Sequence, residues 1–304
     1  MAFPVKHPLS WAFVTARPGE PPSRVVVYAS KLAACVGMNP YERPSALADE
    51  YRAIVQGAEG ADGAEWVPPA EREAAAIAEL PAAAREAVEA VLEAAPAYED
   101  AAASLRALGA LEATGVADAA LEVVRERLFT EQGRRQEPEV RRQMEQARGA
   151  PIAQCARFRS TARPVVEVRW AAAAAGDADE EGKCEVHLGG KHDGIDMTAS
   201  TASTASTAST ASGCVGQLVE IKTRQRRFLG VPLYERVQVH AYMAIFGLRR
   251  ALLVESFMGE RREHEVPFDD GLWEEVMGKL QAFLEPFISG QARAEPGPGP
   301  RAKA

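Results

Sequence analysis

The chain has 304 residues, of which 47% are hydrophobic, and a formal net charge of −8 at pH 7. This length allows one large domain or two small ones, and the negative charge excludes a protein that coats DNA through overall basicity. The sequence has no signal-peptide pattern and no apolar run long enough for a membrane span. A soluble, intracellular protein without membrane association is therefore predicted, in a compartment that the sequence leaves open (nucleus or organelle if the host is eukaryotic).

The first half of the chain is predicted to be helical after a short irregular start. Residues 1–23 contain five prolines and predict an irregular lead-in. A single domain is predicted over 24–290, in which Ser30 would cap a first short helix. Within this domain, 57–128 reads as an alanine-rich, acidic helical insertion, because 45–128 carries 17 Asp/Glu against 6 Lys/Arg.

The second half alternates between extended and helical patterns. From residue 134 the order is α–β–β–β–α–β–β–α, which predicts a mixed central sheet flanked by helices, of the α/β (α+β) class. Segments 134–169 and 217–262 each carry a net charge of +5, so a polyanion would be drawn to this half. The tail 291–304 is rich in Pro and Gly and is predicted to be disordered.

A tandem repeat separates two strand-like segments in this half. Five copies of TAS occupy 198–212, between GGKHDGID (189–196) and LVEIKTR (218–224). Such a repeat cannot form a core and predicts a lengthened hairpin loop. Asp193 and Glu220 are 27 positions apart, of which the repeat accounts for 15. The remaining 12 are a normal separation on adjacent hairpin strands, so Asp193 is predicted to lie beside Glu220.

The segment VEIKT carries the charged residues of greatest interest. Side chains alternate along a strand, so Glu220 and Lys222 share one face of an otherwise apolar segment. An isolated E-x-K is usually a surface ion pair, but two carboxylates brought together with a lysine repel unless a cation or a proton intervenes. Mg²⁺ accepts one or two carboxylates and a backbone carbonyl, here that of Ile221, and Mn²⁺ is expected to substitute. Lys222 would orient a water or stabilise a phosphate.

The pattern D-G-I…V-E-I-K-T resembles the core of the PD-(D/E)xK nucleases. The wider pattern resembles the lambda-phage exonuclease family, the YqaJ-like viral recombinases, over roughly 24–56 and 130–268. The segments that carry the resemblance, in order, are YASKLAACVGMNPY (28–41), GRRQEPEVRRQMEQARG (133–149), the two segments around the repeat, and YERVQVHAYMAIFG (234–247). His192 stands where the family has proline.

This resemblance implies a restriction-endonuclease-like fold and a Mg²⁺-dependent deoxyribonuclease acting on duplex DNA ends in recombination or repair. It implies catalytic and metal-binding roles for Asp193 and Glu220, with Lys222 as the catalytic lysine. Glu137 would face the metal, and Gln238 would lie near the site. A single-strand-annealing protein and further copies of the chain are the partners that the resemblance implies besides DNA.

Further residues are predicted to contact DNA. Ser30 would hold a 5′-phosphate at a helix N-terminus, with plain N-capping as the alternative. Arg224, Arg226 and Arg227 follow the catalytic strand and would meet phosphates, with a solvated loop as the alternative. Tyr234 shares a helix face with Gln238 and is also predicted to contact DNA. Core packing is the alternative.

Two candidate residues and two other functions stay open. Asp196 is an alternative to Asp193 as a ligand, and His240 is expected to pack rather than bind. The same core would also serve an endonuclease, which cleaves closed circular DNA as well as linear DNA. A non-catalytic DNA-binding protein on a decayed nuclease fold would bind DNA in a salt-sensitive way without cleavage.

Overall fold

The computed structural model describes residues 5–16, 20–56, 69–95, 101–154, 157–171, 181–197 and 216–288. These residues form strands and helices in mixed order. The strands are β1 (Val5–Pro8), β2 (Ala12–Ala16), β3 (Arg24–Tyr28), β4 (Ile152–Ala153), β5 (Arg159–Ser160), β6 (Val166–Ala171), β7 (Glu181–Gly190), β8 (Gly194–Asp196), β9 (Gln217–Thr223), β10 (Arg250–Phe257) and β11 (Glu260–Pro267). The helices are α1 (Leu32–Cys35), α2 (Pro44–Tyr51), α3 (Pro69–Ala78), α4 (Ala82–Ala94), α5 (Ala101–Ala113), α6 (Asp118–Arg148), α7 (Leu233–Phe246) and α8 (Asp270–Ile288), with a 3-10 turn at Ala29–Lys31 and a π turn at Arg52–Gln56.

The first sheet has the order β1-β2-β3-β7-β5, with β6 also paired to β7. The prediction of an irregular lead-in over 1–23 is wrong for residues 5–16, which form the antiparallel pair β1–β2. Alternate apolar residues of β2 are buried, and Trp11 beside it is fully buried. Pro8 is tolerated because β1 is an edge strand of this sheet. The proline content therefore predicted the wrong structure for this segment. The alternation of buried and less buried residues in β2 is the pattern that indicates a strand.

The second sheet has the order β11-β10-β9-β8-β4 and carries the segments on both sides of the repeat. Strands β8 and β9 pair antiparallel, with Gly194 opposite Val219, which is the hairpin pairing expected from the sequence. The repeat itself, 198–212, lies outside the described residues. Strands β9 and β10 are parallel and are connected through α7, as parallel neighbours require.

Helices cover both faces of the second sheet. Val219 and Ile221 of β9 point towards α6, where Val140 and Met144 complete a small apolar cluster. Leu218 points the other way into the main core, which contains α7 and α8. Helix α6 is continuous through Gly133. Contacts at both ends of α6, to the insertion and to the sheet, hold it in one piece.

The described part of 57–128 is helical and has its own core. Helices α3, α4 and α5 pack against the first half of α6 through apolar side chains separate from those of the sheets. Across the described ranges, no helix combines the length and apolar character needed to cross a bilayer. The predicted α/β class, with mixed strands flanked by helices, is confirmed.

Candidate active site

Charged and polar side chains from β9, α7 and the start of β8 meet at one end of the second sheet. Lys222 donates hydrogen bonds to Glu220 Oε1 and to Gln238 Oε1, each at 3.0 Å. Gln238 Nε2 donates back to Glu220 Oε1 at 3.1 Å. Glu220 and Lys222 therefore share the face that looks towards α7, as strand alternation predicts, and Gln238 joins them from the helix.

Asp193 is positioned by the backbone of β9. Strand β8 begins at Gly194, so Asp193 lies just before the paired segment. Its Oδ2 accepts a hydrogen bond from the N–H of Ile221 at 2.7 Å, which replaces a bond from a neighbouring strand. A side chain at Gly194 would overlap Ile152. Glycine is thus needed at 194 for β4 and β8 to approach, and this approach fixes the place of Asp193.

Glu220 is the most constrained group of the site. Its side chain is buried, with the residue 4% exposed, and Oε2 has no hydrogen-bond partner among the described residues. Burial and the neighbouring Asp193 carboxylate raise the pKa of Glu220 to about 8. A buried carboxylate oxygen without a partner is costly. A proton or a cation at Oε2 would remove that cost.

The other charged groups of the site, Lys222 and Asp193, carry opposite charges that partly offset each other. Burial lowers the pKa of Lys222, but Glu220 and Glu235 outweigh burial and raise it. Lys222 therefore stays charged. Burial raises the pKa of Asp193, opposed by the Ile221 N–H and by Lys222.

Glu137 approaches from α6 on the outer side of Asp193. Burial raises its pKa, and the Asp193 carboxylate raises it further. Its Oε1 lies 3.5 Å from Arg141 Nη1, one turn further along α6. Glu137 is thus a peripheral member of the cluster, held between an arginine and the buried acids.

The donor set fits a hard divalent cation that keeps part of its water. Within the described parts of the chain, no group of three His, Cys, Asp or Glu side chains is placed to hold a metal ion. Mg²⁺ needs no such group, because one or two carboxylates with several waters suffice. Asp193 and Glu220 would supply the two carboxylates and the Ile221 carbonyl a further oxygen. The unpartnered Oε2 of Glu220 is the observation that favours this fit.

We expect the metal-free protein to lose stability as pH rises from about 5 to about 9. The pKa of Glu220 is about 8 in the folded chain against a reference value of 4.5. The folded state therefore keeps a proton that the unfolded state releases, so stability present below the unfolded pKa is lost as pH rises through the folded one. At about 1.4 kcal/mol per pKa unit, the loss is of the order of 3–5 kcal/mol.

Urea unfolding in EDTA at several pH values measures this loss. The Glu220→Gln variant should show a flatter profile, and Mg²⁺ should reduce the loss in the wild type, because a bound cation offsets the released proton. Parallel profiles for wild type and variant would show that another group titrates.

Three neighbouring residues are engaged in ion pairs, hydrogen bonds or packing within the protein. Asp196, the alternative ligand, is buried and paired with Arg148, so it is not available to the site. His240 is buried, with Nδ1 at 2.7 Å from the Arg236 carbonyl and Nε2 accepting the Asp269 N–H, which agrees with packing. His192 packs against Phe246 with ring centroids 4.4 Å apart, and burial lowers its pKa to about 4, so the ring is neutral.

The structure contradicts the prediction that Arg224 contacts DNA. Arg224 is 8% exposed. Its Nη1 and Nη2 bond to Glu235 at 2.6 and 2.7 Å, and its Nε bonds to Glu255 at 2.5 Å. These bonds use three of the five N–H donors of the guanidinium, and the two buried carboxylates offset the charge that would attract a phosphate. Arg226 and Arg227 are exposed, and their predicted DNA contact stays a prediction.

The remaining two predicted DNA contacts lie beside the site. Ser30 is exposed but lies inside the 3-10 turn, whose N-cap is Tyr28, and the N-cap of α1 is Lys31. The expectation that Ser30 caps a helix is therefore wrong, and its phosphate contact stays a prediction. Tyr234 is half-buried on α7 and forms an edge-to-face pair with Tyr41 at 5.7 Å.

Sequence reasoning missed two members of the cluster. Gln238 Nε2 lies 3.4 Å from the Tyr242 hydroxyl, and Arg141 lies beside Glu137. Both are four residues after a predicted site residue, so they share its helix face. That spacing was the available signal.

Comparison with known proteins gives distant structural matches only. No protein-family model matches the chain, and the curated proteins contain no match. The chain is similar to an alkaline exonuclease (LHK-Exo) from Laribacter hongkongensis, at 15% identity over 72% of this chain and 92% of that one, with a TM-score of 0.33. It is also similar to SSO0001, at 14% identity over 71% of this chain and 84% of that one, with a TM-score of 0.27.

Proposed function

We propose that this protein is a metal-dependent deoxyribonuclease that hydrolyses phosphodiester bonds. The observation that carries the proposal is the Glu220 carboxylate: it is buried beside Asp193, bonded to Lys222 and Gln238 through one oxygen, and unpartnered at the other. A site built only for stability would pair that oxygen or replace the residue by an apolar one. An arrangement that leaves it open is suited to a ligand that brings positive charge.

The roles of the residues follow from their positions. Asp193 and Glu220 would hold Mg²⁺, with Mn²⁺ as a substitute, and the Ile221 carbonyl and Glu137 would complete the oxygen donors. The bound ion would lower the pKa of a water and offset charge on the phosphoryl oxygens. Lys222 would stabilise the negative charge that develops on the phosphate. Gln238 holds the Lys222 ammonium and the Glu220 carboxylate in register.

The proposal extends to an exonuclease that acts on duplex DNA ends in recombination or repair. This extension rests on the order of the four sequence segments that resemble the lambda exonuclease family. Exposed Arg226 and Arg227 at the end of the catalytic strand, with Ser30 and Tyr234 nearby, would contact the DNA backbone and bases. A single-strand-annealing protein and a homo-oligomer are the further partners proposed.

The test compares DNA forms. A linear duplex labelled at one 5′ end and a closed circle are incubated with the protein in Mg²⁺, in Mn²⁺ and in EDTA. Release of mononucleotides from the linear duplex in Mg²⁺ or Mn²⁺ but not in EDTA, with the circle intact, is the expected result. Cleavage of the circle would replace the exonuclease by an endonuclease. Salt-sensitive binding without cleavage in either metal would refute the nuclease and leave a DNA-binding protein.

A further inference from the structure

A cavity beside the candidate active site has no part in the chemistry described so far. It has a volume of about 810 Å³ and lies between α5, the middle of α6, the segment after β9, and the turn between β10 and β11. Gln136, next to Glu137, lines it, and so does Arg226, four residues after Lys222. Four residues span at most about 14 Å. The cavity and the site therefore share two elements, α6 and the end of β9, and lie near each other.

The two sides of the cavity differ in chemistry. The wall from the insertion consists of Ala102 and Leu105 of α5, and the opposite wall includes Arg226 and Arg261. Arg261 is paired with Glu263 at 3.2 Å. Arg226 is exposed and has no ion pair with the residues that the structure describes. Glu139 also lines the cavity but is paired with Arg142 along α6. An apolar wall facing a cationic one matches a ligand with apolar and anionic sides.

One buried polar group in the wall of the cavity lacks a partner among the described residues. Gln132 is 2% exposed, lines the cavity, and its Oε1 has no hydrogen-bond partner among the described residues. A buried amide oxygen without a partner is unfavourable in the free protein. It would be satisfied by a donor on a ligand, such as the exocyclic amino or ring N–H groups of a nucleobase.

The turn at the mouth of the cavity presents an apolar side chain at a conformational cost. Met258 and Gly259 both have positive φ, 49° and 79°, as a two-residue turn with mirror-image geometry requires. Asn or Gly is favoured at the first of these positions, and an unbranched apolar residue there is unusual. Met258 is nonetheless 81% exposed. Together with Phe257 behind it, it lines the cavity and offers an apolar surface to a base.

We propose that this cavity binds a short stretch of single-stranded DNA, with its phosphates towards Arg226 and Arg261 and its bases towards Leu105 and Met258. Aromatic and apolar surfaces that receive bases, combined with a cationic track for the backbone, are the features of single-strand sites. The acidic insertion thereby acquires a role: it contributes the apolar wall, while the cations come from the sheet side. The inference rests on the proposed function for the type of ligand.

The test measures binding without cleavage. Fluorescence anisotropy in EDTA follows a labelled ten-nucleotide thymidine oligomer and a matched duplex. The pair Arg226→Gln with Arg261→Gln should reduce the slope of log affinity against log salt by about 1.4, at about 0.7 per phosphate contact. Arg134→Gln, an exposed α6 arginine outside the cavity, is the matched control and should keep the slope. An unchanged slope in the pair would overturn the proposal.

Two apolar positions test the base side. Leu105→Glu should weaken oligomer binding about tenfold, in the range of a lost base contact, whereas Ala110→Glu, exposed on the same helix, should not. Met258→Asn fits positive φ better and should raise the melting temperature by about 2 °C while weakening the oligomer several-fold. A purely structural turn would gain stability with no loss of binding, and that result would contradict the proposal.

The outcomes separate this inference from the proposed function. Oligomer binding that depends on the cavity in a protein that cleaves no DNA would refute the nuclease and keep the cavity site. Metal-dependent cleavage with oligomer binding unaffected by all the cavity variants would keep the nuclease and refute the cavity site. Loss of duplex binding alone would assign the cavity to the duplex and also refute the single-strand proposal.

Discussion

Replacing Glu220 by glutamine is expected to lower the rate of Mg²⁺-dependent DNA cleavage at least about a thousandfold, while the protein stays folded. The amide has the size of the carboxylate and can still accept from Lys222 and Gln238 at the oxygen that accepts their bonds now. The unpartnered Oε2 position would then carry an uncharged amide nitrogen, which cannot bind a cation. Because the pKa of Glu220 is raised, the folded chain does not depend on a negative charge at this position.

Cleavage of the labelled linear duplex, with circular dichroism as a check on folding, measures this effect. Glu131→Gln removes an acid that pairs with Arg134 outside the site and should leave the rate unchanged. Lys222→Met should also abolish cleavage but keep Mn²⁺ binding, because the ammonium is no ligand. A Glu220→Gln variant with more than about a tenth of the wild-type rate would remove this carboxylate from the catalytic role.

Replacing Arg224 by methionine is expected to destabilise the protein by about 3–5 kcal/mol. The change leaves Glu235 and Glu255, both buried, without their cation. Glu255 would keep the N–H groups of Leu229 and Gly230 at 2.8 and 3.0 Å, but Glu235 would lose both strong donors. A loss of this size is a large share of the typical stability of a domain.

Arg226→Met is the matched control, because it makes the same substitution two residues away at an exposed position, and should change stability by less than about 0.5 kcal/mol. If Arg224→Met does not fold, Arg224→Lys keeps the charge without the planar fork and should cost roughly 1–3 kcal/mol. Urea unfolding measures all three variants. Equal stability of Arg224→Met and wild type would show that the buried network contributes nothing, and would reopen a DNA-contact role for Arg224.

Much of the candidate site could be read from the sequence because its parts obey short-range rules. Alternation along a strand placed Glu220 and Lys222 on one face, and subtraction of the repeat placed Asp193 opposite Glu220. Helical spacing then connected Tyr234, Gln238 and, in the structure, Tyr242. Each of these relations depends on a few neighbouring residues and a known periodicity.

The sequence by itself determined the α/β class, the pairing of the strands around the repeat, and the shared face of Glu220 and Lys222, since periodicity and loop length decide these locally. Only the tertiary structure decided that Arg224 is buried in an ion-pair network, because Glu255 reaches it through the parallel pairing of β9 with β10. It likewise decided that 5–16 joins a sheet and that α5 forms one wall of a cavity. Contacts between residues distant in sequence leave no periodic trace, and their energies outweigh local preferences.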